Sequence, residues 1–127
     1  MGNTYSILVA DRNRHVRDYL KRELTAEGYR VRLAKSGGEV LRWVLHEDPI
    51  DLVILDPNLS DERDLEVFEK LQDRIPQIPV IIHGFAADRH QHPSAVSGVS
   101  FVEKRGGSIE ALKRSVDRAL HFRSGSP

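Results

Sequence analysis

Asp11, Asp56 and Lys104 each follow directly on a short apolar run: SILVA (6–10), DLVIL (51–55) and VSFVE (99–103). Two carboxylates brought side by side repel unless a cation lies between them, and hard divalent cations such as magnesium favour oxygen ligands. An ammonium group at the same edge would make the trio an anion-and-cation pocket. Taken singly, a strand-end aspartate is better explained as a cap on a loop or helix; three ionisable groups in register at one edge point to a site.

The elements that must position them can be read from the pattern. YRVRLA (29–34) and PVIIH (79–83) complete five runs rich in β-branched residues, which predict strands. Between the runs the spacing predicts amphipathic helices, built on Val16, Tyr19, Leu20 and Leu24, then Val40, Leu41, Val44 and Leu45, then Leu65, Phe68 and Leu71, then Ile109, Leu112, Val116 and Leu120. Ser36 with Glu39 reads as a capping box, Gly28 as the end of the first helix and Ser108 as a cap on the last. The stretch from Pro76 to Pro79 cannot continue a helix, and Pro93 leaves at most a short or irregular helix in AADRHQHPSAVS (86–97). Alternating strands and helices predict an α/β fold, a doubly wound five-stranded parallel sheet with helices on both faces. SILVA and DLVIL suit burial on both faces. In such sheets the site lies at the carboxyl ends of the strands, beside the switch in strand order.

Composition narrows the function. A chain of 127 residues with 19 basic and 19 acidic side chains reads as one domain over residues 1–122, with 123–127 as linker or tail. Without cysteine there is no disulfide framework and no thiolate zinc site, so a cytoplasmic home is expected. No apolar stretch approaches the roughly 20 residues needed to span a bilayer, and no signal peptide is evident. His83, His90 and His92 meet no zinc spacing and read as exposed or capping residues, with His83 at a strand end placed to titrate near neutrality. Trp43 reads as packing on the flank of the second helix.

Acids outnumber bases ten to two from Glu47 to Asp73, whereas the first and last helices carry Arg14, Arg17, Lys21, Arg22, Lys113, Arg114 and Arg118. Those two helices are expected to share one basic face, either simply solvated or a docking surface for a protein partner. No aromatic platform or DNA-reading motif accompanies the charge, so nucleic acid is not an expected partner of this domain. A nucleotide- or flavin-binding domain on a similar sheet is the alternative of another class. It would need a glycine-rich turn after the first strand, where this chain has ADRNRH, and the pair Gly37 and Gly38 fits no dinucleotide fingerprint. No organic cofactor is therefore expected. An enzyme is not expected either, since no nucleophile-and-base arrangement is evident.

At ILVAD, GYRVRLAKSGGEVL, DLVILDPNLS, IPV and FVEK the chain resembles the receiver domain of bacterial two-component response regulators, over roughly residues 5 to 121. The resemblance implies a CheY-like, flavodoxin-like sheet of order 2-1-3-4-5. It makes Asp56 the acceptor of a phosphoryl group and Lys104 the partner of the phosphoryl oxygens. Asp11, Asp56 and the backbone carbonyl of Asn58 become magnesium ligands, and Gly84 and Phe101 fall at the switch positions. The implied partners are a sensor histidine kinase or phosphotransfer protein upstream and an output domain or downstream protein, with a homodimer through the later helices as a further expectation. The chain departs from the pattern at several places: Arg12 stands at the second acid, Gly84 at the usual threonine or serine, Arg105 at a proline and Asp64 at a glycine. With Arg12 and Lys104 balancing Asp11 and Asp56, and a guanidinium able to fork onto a carboxylate, magnesium is expected to bind weakly or not at all. The missing hydroxyl at Gly84 is expected to uncouple phosphorylation from the aromatic switch. A phosphorylation-independent interaction module is the alternative within the family.

Overall fold

The computed structural model describes residues 4–46, 48–59, 64–73, 77–91 and 98–125. The chain runs β1 (Ser6–Ala10), α1 (Arg14–Ala26), β2 (Arg30–Ala34), α2 (Gly37–Val44), β3 (Leu52–Leu55), α3 (Asp64–Asp73), β4 (Val80–Gly84), a 3-10 helix (Ala86–Gln91), β5 (Val99–Glu103) and α4 (Ser108–Gly125). All five expected strands form, each within a residue of its expected ends. They pair in parallel in the order β2-β1-β3-β4-β5.

Period-two alternation on buried strands divides the core into two layers. Leu8, Ala10, Val53, Leu55, Val80 and Ile82 pack with Val40, Leu41 and Val44 of α2 and Val67 and Leu71 of α3. Ile7, Val9, Leu52, Ile54, Ile81 and Val102 face the other way, onto Leu20 and Leu24 of α1 and Leu112, Val116 and Leu120 of α4. The expected common face for the first and last helices is therefore present. Its bases are not all free, however: Lys113 reaches across to Glu23 at 3.0 Å and Glu27 at 3.5 Å, Arg14 pairs with Asp18 at 3.6 Å, and Arg17 donates to Asp11 O at 2.7 Å.

Local chemistry explains the helix ends. Asn13 caps α1 by accepting from His15 N–H, and Gly28 leaves it with φ +98°. The Gly28 N–H then donates to Thr25 O and the Tyr29 N–H to Leu24 O, which closes the last turn as a Schellman motif. Ser36 Oγ accepts from Glu39 N–H at the start of α2. The return arm of the expected box differs, because Glu39 Oε1 accepts from Lys35 N–H and so caps one residue further out.

Three expectations change. Leu45 is not on the buried stripe: α2 ends at Val44, and Leu45, as its cap, is 75% exposed. Ser108 is the first residue inside α4 rather than the residue before it. That helix also runs to Gly125, into the stretch 123–127 that reads as tail. Trp43 is flank packing as expected, half-buried against the core, with its indole N–H donating to Leu33 O at 3.1 Å. The short helix expected in 86–97 is the 3-10 turn; His92, Pro93 and Pro76 lie outside the described residues, as do the side chains of Leu65, Phe68 and His90.

Candidate functional site

The sheet ladder continues one residue past three strands and sets the site. Asp11 N–H donates to Ala34 O, Asp56 N–H to Ala10 O at 2.8 Å and Lys104 N–H to Gly84 O at 2.7 Å. Asp11, Asp56, His83 and Lys104 come two residues after Val9, Ile54, Ile81 and Val102, so period-two alternation carries all four toward the α1 and α4 side. The register pairs His83 with Val102, which leaves Lys104 beyond the end of the ladder. Its long stem closes the difference, and Nζ sits 2.8 Å from Asp11 Oδ2 and 3.7 Å from Asp56 Oδ2.

Each carboxylate is also held by main-chain donors. Asp11 Oδ1 accepts from Asn13 N–H at 2.8 Å and Asp56 Oδ1 from Asn58 N–H at 2.9 Å, two Asx-type closures. Arg12 approaches Asp56 with its main chain first, its N–H donating to Oδ2 at 3.2 Å. The expected bidentate fork does not form. The guanidinium stays half in water and adds one contact, Nε to Asp56 Oδ2 at 3.9 Å.

The expected trio is thus assembled, but it is not an open rim. Asp11 retains 1% of its surface and Asp56 3%, because Lys104 and the loop amides have taken the places of water. Burial raises the Asp11 carboxyl above its ordinary range. The Lys104 ammonium and the Asn13 N–H pull it back down, while the Asp56 charge pushes it up. Phe101 lies elsewhere, half-buried in the opposite layer with Val80 and Ile82. Gly84 ends β4 beside the ring of Pro57.

His83 overturns its expectation. It is buried, neither ring nitrogen has a hydrogen-bond partner among the described residues, and it lines a cleft with Val16, Leu20, Phe85 and Ile109. Burial and the nearby Lys104 charge lower its pKa from 6.5 to about 4, against a smaller opposing pull from Asp56, so it is neutral at physiological pH. Above 6.5 the ring is neutral in both folded and unfolded chains. As pH falls from 6.5 toward 4 the unfolded chain binds a proton that the folded chain refuses, so stability falls across that window. The loss is on the order of 3 kcal/mol. His83→Leu should remove this slope, which urea unfolding of both proteins above 6.5 and just above 4 will read. Parallel pH curves would contradict the assignment.

Asp88 is the site residue the sequence reading missed. It is buried, Oδ1 accepts from Asn58 Nδ2 at 3.1 Å, and Oδ2 accepts from Phe85 N–H at 2.9 Å. A signal was present, since an acid three residues after the residue that opens a helix commonly caps that residue's N–H. Among the described residues no cluster of three or more acidic or histidine side chains is arranged to hold a metal ion.

A family model described as "Response regulator receiver domain" matches residues 7–114. The transcriptional regulatory protein GlrR of Escherichia coli K12 is 36% identical over 117 residues, which cover 90% of this chain and 26% of that protein. The chain spans only 16% to 26% of the length of the first curated relatives it matches. Among solved structures, the response regulator TrrA of Thermotoga maritima bound to Mg2+ and BeF superposes with a TM-score of 0.74 at 31% identity, covering 92% of this chain and 100% of that one. A structure of the histidine kinase ThkA in complex with TrrA superposes with a TM-score of 0.76 at 28% identity, covering 92% of this chain and 99% of the matched chain.

Proposed function

Because this chain belongs to the response regulator receiver-domain family, we propose that it takes a phosphoryl group on Asp56 and signals through protein contacts. The observation that supports this most is the placing of Asp56 Oδ2 3.7 Å from Lys104 Nζ at the carboxyl edge of a parallel sheet. An Asp56 oxygen forms the new bond to phosphorus while the bond to the donor's leaving group breaks. Lys104 offsets the charge on the transferred oxygens. The domain is a phosphoryl carrier rather than an enzyme, working in the cytoplasm with a sensor histidine kinase or phosphotransfer protein upstream and an output partner downstream. Pairing with a second copy is compatible with this role. Asp56 must be uncovered first, and the half-exposed Arg12 side chain, which among the described residues meets Asp56 at one long contact, is the group that swings aside.

Receiver domains commonly bind magnesium, but the donor set here fits it poorly. Asp11 and Asp56 carry two negative charges that Lys104 and Arg12 already offset. All four of their oxygens face an N–H or an ammonium. The Asn58 carbonyl adds a dipole and no charge. Weak metal binding follows, and with it slow phosphorylation. The covered Asp56 and the Arg12 contact also favour a second reading, an interaction module that works without phosphorylation.

Intact mass after incubation with acetyl phosphate and magnesium separates the two readings. A gain of one phosphoryl group that vanishes in Asp56→Asn supports the first. No gain under prolonged incubation leaves the second.

A further inference from the structure

Glycine at position 84 is not explained by backbone conformation, because its φ is not positive; among the described residues positive values occur at Gly28, Gly98 and Gly107. Space explains it. A Cβ on residue 84 would lie 2.6 Å from Pro57 Cγ, 3.0 Å from Pro57 Cδ and 3.1 Å from Asp88 Oδ2. The room a side chain would need is already taken by a proline from the loop after β3 and a carboxylate from the 3-10 helix after β4. We propose that Asp88 is a positioning residue that fastens the segment after β4 to the segment after β3, holding that wall of the pocket in place before any phosphoryl group arrives.

Two hydrogen bonds of different reach make the fastening. Oδ2 takes the Phe85 N–H at 2.9 Å, and the Asp88 N–H returns to Phe85 O at 2.9 Å, so the first turn of the 3-10 helix is closed on itself. Oδ1 reaches 30 residues back along the chain to Asn58 Nδ2 at 3.1 Å. Asn58 in turn donates its main-chain N–H to Asp56 Oδ1, and Gly84 O holds the Lys104 N–H. The buried Asp88 carboxylate thereby links the segments bearing Asp56 and Gly84, and Gly84 O carries the connection on to Lys104. A local cap would need only the Phe85 bond, and the Asn58 bond is the one that couples the two loops. A carboxylate accepts and does not donate, so Asp88 has no proton to offer a phosphoryl oxygen, unlike a hydroxyl at residue 84. The second half of this inference rests on Asp56 as phosphoacceptor; the cross-link itself does not.

Amide hydrogen exchange at Phe85 in the unmodified full chain tests it with Asp88→Asn, Asn58→Asp and the two combined. Asp88→Asn turns an amide donor toward the Asn58 amide, and Asn58→Asp sets two carboxylates face to face, so each alone should speed exchange at least about tenfold. The combined variant restores one donor and one acceptor in reversed order and should return protection to within about threefold of wild type. A purely local cap predicts no effect from Asn58→Asp and no rescue by the pair, and either result overturns the proposal. Exchange at Phe85 should also stay unchanged when acetyl phosphate loads Asp56; a change there overturns the pre-set wall. If no phosphoryl group is taken up, that failure belongs to the reading of Asp56, and the rescue still decides the cross-link.

Discussion

Arg12→Asp should raise magnesium affinity by at least about 100-fold, because two units of charge change beside a dication and unit charges about 5 Å apart interact by about 3 kcal/mol even at an effective dielectric of 20. The substitution removes the guanidinium that contacts Asp56 Oδ2 at 3.9 Å and adds a third carboxylate next to Asp11 and Asp56. Three acids and Lys104 then leave two negative charges for the metal to offset. The Arg12 main-chain N–H on Asp56 Oδ2 survives the change, so the geometry of the loop is kept. Titration of both proteins with magnesium, followed by backbone NMR shifts at residues 11, 56 and 58, reads the difference. Phosphorylation by acetyl phosphate should quicken in parallel. Equal affinities would mean that the burial of the acids, and not Arg12, limits the metal.

Lys104→Met is expected to cost about 3 to 5 kcal/mol at neutral pH, the usual range when one partner of a buried ion pair is removed. Lys104 is the cation at 2.8 Å from Asp11 and 3.7 Å from Asp56, and both acids are nearly covered. Methionine fills much of the volume but leaves two like charges facing each other out of water. Asp11, already raised by burial, then loses the ammonium that pulled it down, so it moves further up. An acid whose folded pKa is raised binds its proton more tightly folded than unfolded. The deficit should therefore be greatest at neutral pH and shrink as pH falls through the raised folded pKa toward 3.8. Urea unfolding across that range will show it. A loss below about 1 kcal/mol at neutral pH would mean that water reaches the carboxylates when Lys104 is gone.

These two effects together describe a site neutralised from within the chain. Arg12 and Lys104 supply the positive charge, and Asp88 with Pro57 fills the space beside Gly84. Two of the departures from the family pattern, Arg12 and Gly84, thus have a physical counterpart elsewhere in the pocket.

The sequence by itself determined the elements and their arrangement. The five apolar runs, the helical stripes of Leu20, Leu24, Leu112, Val116 and Leu120, and the turn at Gly28 depend on periodicities and backbone preferences that act within a few residues. Placing Asp11, Asp56 and Lys104 at strand ends put them at one edge, since parallel strands bring their carboxyl ends together, and the long Lys104 stem, reaching from β5 past β4 and β3, made the contact. Tertiary structure decided what stands between and around them. Whether Arg12 forks onto Asp56 or touches it once, and whether His83 titrates near neutrality or is buried beside the cleft of Val16, Leu20 and Ile109, depends on distances between residues far apart in the chain. Asp88 is the sharpest case. Its bond to Phe85 is a local cap that sequence rules can suggest, but its bond to Asn58 spans 30 positions and exists only because β3 and β4 are neighbours in the sheet.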